Sequence, residues 1–110
     1  MEEFIAFLEG RIAAGRAEIS ALEADSRKDE ANFARVRTNI YDVCRSVTRT
    51  LVNKAGPDAV TAQFDRFRAI WGAALEKARQ HGNADGAAVE ETKLAVLEEV
   101  AARFREVTGA

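Results

Sequence analysis

The chain has 110 residues, 47% of them hydrophobic and 31% charged, with seven Gly, one Pro and a formal net charge of −2. Such a composition lies far from disordered, collagen-like or fibrous chains and fits one helix-rich domain, large enough to bury a core without metal or disulfide staples. The single cysteine, Cys44, excludes an intrachain disulfide framework, and nowhere do about 18 apolar residues run together to span a membrane.

The first residues open on Glu2 and Glu3 and carry Glu9, Arg11 and Arg16 among apolar residues at helical spacing, which is not the pattern of a secretory leader. The cytoplasm is therefore the expected compartment. From there Ile5, Leu8, Ile12, Gly15, Ile19, Leu22, Ser26, Asp29, Phe33, Val36, Ile40, Val43, Val47 and Thr50 follow in alternating steps of three and four without a slip. A 3.5-residue repeat held this long predicts a helix with one face laid against other helices in coiled-coil fashion.

Within that stretch, Ser26 and Asp29 turn the apolar stripe polar. Two readings compete. Either the chain bends here, with Asp25 or Ser26 capping a new helix, and closes as a four-helix bundle; or the helix runs on. The segment holds neither Gly nor Pro and the register passes through in phase, so the sequence favours one helix over residues 3–54. Such a rod would be about 75–80 Å long.

Lys54-Ala55-Gly56-Pro57-Asp58 supplies a Gly stop and a Pro start, and His81-Gly82-Asn83-Ala84-Asp85-Gly86 a second Gly stop with Asn83 or Asp85 as the next cap. Two shorter helices are expected over 57–81 and 84–108. In the first, Val60, Phe64, Phe67, Trp71, Ala74 and Ala78 form an apolar stripe that Ile70 and Leu75 widen. In the second, Val89, Leu94, Val96, Leu97, Val100, Ala101, Phe104 and Val107 do the same. The expected fold is all-α and the expected organisation one domain over 1–110. In it a three-helix unit of residues 29–108 carries a projecting arm of residues 1–25.

An arm exposing Phe4, Ile5, Leu8, Ile12, Ile19 and Leu22 demands a partner, because burying each such side chain is worth roughly 1.5–3 kcal/mol. Charge suggests which. Residues 1–34 hold eight acids and four bases, whereas residues 35–56 hold five bases and one acid. An antiparallel homodimer crossing at Ser26–Asp29 sets acidic arm against basic half; a parallel one sets acid against acid. The expected protein interface is therefore Ile5, Leu8, Ile12, Gly15, Ile19, Leu22, Ser26, Asp29, Phe33 and Val36, shared by two copies of the chain.

No chemistry is legible. Cys44 has no histidine near it in sequence, and His81, the only histidine, stands at a helix end. Acid pairs such as Glu90-Glu91 and Glu98-Glu99 lack the Glu-x-x-His partner of a carboxylate metal centre. Gly10, Gly15 and Gly72 are scattered rather than gathered in a phosphate-binding loop. No catalytic, metal-binding or cofactor-binding residue is assigned, and the chain reads as a non-enzymatic self-association and protein-interaction module. Two alternatives are a small chaperone or adaptor that takes up an amphipathic helix of another protein, and a nucleic-acid-binding regulator using Arg35, Arg37, Arg45 and Arg49. The acidic balance weighs against the last.

Overall fold

The computed structural model describes residues 1–109 and contains four helices: α1 Glu2–Ala24, α2 Lys28–Ala55, α3 Pro57–Gln80 and α4 Ala84–Thr108. The boundaries read at Gly56 and Gly82 are found as expected. The continuous helix over 3–54 is not: the chain reverses at Asp25-Ser26-Arg27, and residues 2–24 fold back along α2 instead of projecting. Ser26 is the cause. It adopts φ 56°, the left-handed conformation usually left to glycine. The Arg27 N–H then reaches the Leu22 carbonyl (2.9 Å) and the Ser26 N–H the Glu23 carbonyl (3.1 Å). These two bonds are the Schellman pattern that satisfies the last carbonyls of a helix.

The α3–α4 turn repeats it. Gly82 sits at φ 66°, the Asn83 N–H bonds the Ala78 carbonyl (2.8 Å), and the Gly82 N–H bonds the Arg79 carbonyl (3.1 Å). Asn83 then caps α4, its Oδ1 accepting from the Gly86 N–H at 2.9 Å. Between the two hairpins the chain reverses through Gly56 alone, at φ 81° and ψ 178°, a region closed to any residue with a Cβ. Pro57 starts α3 at once.

α2 and α4 form the inner pair, each packed against all three other helices, whereas α1 and α3 flank them and their backbones do not approach each other among the described residues. The result is a flattened bundle of 41 × 35 × 20 Å, two helix layers thick. One shift along the sequence aligns many buried positions of the two hairpins. It pairs Phe4 with Val60, Leu8 with Phe64, Ala31 with Ala87, Ala34 with Glu90, Ile40 with Val96, Cys44 with Val100 and Thr48 with Phe104, every one of them buried, and Ser26 with Gly82. The molecule is thus two helical hairpins that share much of one burial pattern with little sequence identity between them.

Large side chains gather at the end away from those two turns. There Phe104 meets Phe4 edge-on (centroids 5.1 Å) and Phe64 edge-on (5.7 Å), surrounded by Leu8, Ile40, Cys44, Val60, Leu97 and Val100. Nearer the turns the buried hydrophobic residues of α2 and α4 are small, Ala31, Ala34 and Ala87, with the Glu90 carboxyl beside them in sequence.

Candidate interaction surface

The residues expected to form an intermolecular interface lie largely in the α1–α2 seam of one chain. Leu8 and Ile12 are buried, and Ile5 packs against the core from a half-buried position. Ile19, Leu22, Phe33 and Val36 are half-buried, while Ser26 and Asp29 are exposed at the turn. Gly15 lets the two backbones approach: a Cβ built on it would stand 2.1 Å from Thr38 Oγ1. That oxygen is held by its own hydrogen bond to the Ala34 carbonyl at 2.8 Å.

The acid–base asymmetry is consumed in the same seam. Arg35 pairs with Glu23 (2.5 Å), Arg37 with Glu18 (2.8 Å), and Arg45 and Arg49 both reach Glu9 (3.8 and 3.4 Å). Exposed pairs of this kind contribute about 0–1 kcal/mol each, so their main effect is to fix the antiparallel register rather than to supply stability. For the same reason the four arginines named as a nucleic-acid surface are each committed to a carboxylate.

Where α1 meets α4, the surface is polar and tied down. Arg11 pairs with Glu99 (3.0 Å), the Tyr41 hydroxyl donates to the same carboxylate, and the Arg11 and Arg103 guanidinium groups lie over the Phe7 ring at 5.4 and 5.1 Å. Burial, with the neighbouring Glu99 carboxylate, pushes the Tyr41 hydroxyl up to about 12. Burial alone lifts the Cys44 thiol to about 12. Neither group therefore offers an anionic nucleophile near neutral pH. His81 is exposed just past the end of α3. No three His, Cys, Asp or Glu side chains among the described residues are placed to hold a metal ion, and no helix there is long and apolar enough to cross a membrane.

The flank built by α3 differs. Ile70 leaves 60% of its surface in water, the most exposed large hydrophobic side chain among the described residues. Beside it Phe67 and Trp71 stack face to face (4.9 Å, 5°), and Lys93 stands 5.8 Å from the Trp71 ring while bonding the largely buried Glu90 carboxylate at 3.0 Å. One turn beyond Ile70, Ala74 begins an open groove of ≈ 490 Å³ between α3 and α4, floored by Ala78, Gly86 and Val89, with Lys77 and His81 on its rim. Sequence reading placed Ile70 in the widened core stripe of α3 and missed this surface. Its one signal is angular: Arg66, Ile70, Ala73 and Lys77 share a stripe, and cations at both ends of a stripe mark a face turned to water. Comparison with protein-family models, with curated proteins and with solved structures finds no match to this chain.

Proposed function

We propose that the chain is a non-enzymatic protein-interaction module whose binding surface is the α3 flank. The observation that carries this reading is Ile70, held in water on α3 one turn before Ala74, where the groove between α3 and α4 begins. Covering a side chain of that class is worth roughly 1.5–3 kcal/mol, a gain the closed monomer forgoes and a bound partner recovers. A cytoplasmic setting suits the free, buried Cys44. Affinity capture from the native host, with the wild-type chain and Ile70→Asp side by side, tests the proposal. A stoichiometric protein retained by the wild type and lost by a fully helical Ile70→Asp supports it; equal recovery on both removes the α3 flank from the function.

A second reading, the exchanged-helix homodimer, is favoured by Ser26. Straightening residues 25–27 would release a left-handed non-glycine residue, at a gain of about 1–2 kcal/mol. Each copy's α1 would then meet the partner's α2 through the seam and ion pairs it now makes in its own chain. Short strained hinges are where such exchange occurs. Light scattering over a micromolar to millimolar series should show a dimer fraction that grows with concentration and shrinks in Ser26→Gly. A monomer throughout, in both proteins, ends this reading.

A further inference from the structure

Equivalent seats in the two hairpins carry opposite chemistry, and the contrast bears on what the α3 flank accepts. The shift that aligns the hairpins places Arg11 on Phe67, Ala14 on Ile70, Gly15 on Trp71 and Glu99 of α4 on Val43 of α2. Arg11 of α1 and Glu99 of α4 form an ion pair, whereas their counterparts Phe67 of α3 and Val43 of α2 are apolar; Ile70, exposed like Val43, stands where α1 has the small Ala14. On α3, therefore, apolar side chains stand where α1 carries Arg11 and the small Ala14.

The stripe of α3 that carries Ile70 has a cation at each end. Arg66 and Lys77 bracket Ile70 on one stripe of α3, and neither enters an ion pair among the described residues; Arg66 bonds only the neutral Gln63. The nearby Glu90 carboxylate adds no opposing charge, since Lys93 neutralises it. Elsewhere on the bundle the arginines of α2 that face α1 all have carboxylate partners. An apolar track flanked by two unpaired cations is complementary to an amphipathic segment whose apolar edge is bordered by carboxylates.

From this we infer that the groove between α3 and α4, extended along Ile70, docks an amphipathic helix of another protein carrying acidic residues beside its apolar edge. The inference rests on the protein-interaction reading and gives the chemistry of its partner. Arg66 and Lys77 receive the carboxylates, the strip from Ile70 through Ala74 to Val89 receives the apolar edge, and the stacked Phe67–Trp71 pair supplies a rigid wall.

The test uses the full chain and two helix-forming peptides of about 18 residues, ~27 Å long, free of tryptophan and identical on their apolar edge, one flanked by Glu and the other by Lys. Trp71, the only tryptophan, reports binding by its fluorescence, and labelled-peptide anisotropy gives the affinity. The Glu-flanked peptide should bind at least about tenfold more tightly than the Lys-flanked one and weaken as salt rises, as contacts between exposed charges do. Arg66→Glu combined with Lys77→Glu should reverse the preference, and the milder Arg66→Gln with Lys77→Gln should abolish it; circular dichroism checks that both stay helical.

Equal binding of the two peptides, or a preference that charge reversal leaves untouched, overturns the acidic-helix inference and leaves the interaction module standing. So does failure of both peptides while host-protein capture still depends on Ile70. A dimer that Ile70→Asp converts to monomer assigns the flank to a second copy and also overturns it. Failure of both peptides together with Ile70-independent capture removes inference and module alike.

Discussion

At Gly15 the absence of one carbon atom decides how closely α1 lies on α2. A Cβ there would collide with Thr38 Oγ1, and Thr38 cannot simply turn away, because its hydroxyl bonds the Ala34 carbonyl and its side chain is buried. Gly→Ala in an open helix stabilises by about 1 kcal/mol; here overpacking, typically about 1–3 kcal/mol, should win. Gly15→Ala alone is therefore expected to destabilise, whereas Gly15→Ala with Thr38→Ala, which removes the colliding atoms, should recover most of the loss. Urea titrations of the two single variants and the double variant measure the coupling, and additive effects would mean that the seam relaxes freely at this point. Heptad spacing alone placed Gly15 on the contact face, so this close approach was legible in the sequence. Its partner was not, for periodicity assigns a face without saying which helix will cover it.

At the scale of elements, α3, α4 and the end of α2 follow from capping and punctuation. Gly56-Pro57 and Gly82-Asn83 are residues whose backbone preferences end one helix and start another, whatever the tertiary structure. The missed turn at Ser26 has none of that chemistry. Its left-handed residue is one that rarely accepts the role, and α1 and α2 each turn an apolar stripe toward the other, so the repeat stays in phase through the reversal. Ser26 and Asp29, polar on the stripe, were the only local sign. The charge asymmetry was read as antiparallel pairing of two copies, whereas the ion pairs form between α1 and α2 of one chain; the asymmetry fits either arrangement equally well. Only the turn decides. The aromatic end of the bundle gives a prediction at this scale. Phe104 joins Phe4 of α1 to Phe64 of α3 across α4, so Phe104→Ala should cost about 3–5 kcal/mol. Leu22→Ala, at a half-buried position by the turn, should cost markedly less, and denaturation midpoints of the two variants would expose an error if they matched.

For the molecule as a whole, two groups link folding to pH. The Tyr41 hydroxyl and the Cys44 thiol ordinarily titrate near 10 and 9, and the fold holds each protonated to about 12. A group held protonated beyond its unfolded value stabilises fully below that value and loses its contribution as pH climbs toward the folded one. The contribution of these two groups should thus be unchanged through neutrality and drain away between about pH 9 and pH 12. Thermal melts in alkaline buffers should show it, and Cys44→Ala, although less stable at neutral pH, should lose melting temperature more gently as pH rises. The same burial should shield the thiol from alkylating reagents until the bundle opens.

Since the backbones of α1 and α3 stay apart on either side of the inner pair, the outward faces of the two flanks are separate neighbourhoods, although Phe4 and Phe64 share one core through Phe104. Surface substitutions on one should sum with those on the other instead of interfering. Specialisation on one side is then cheap in evolutionary terms: α3 can be retailored for a new ligand, over many small steps, while the opposite flank goes on keeping the chain folded.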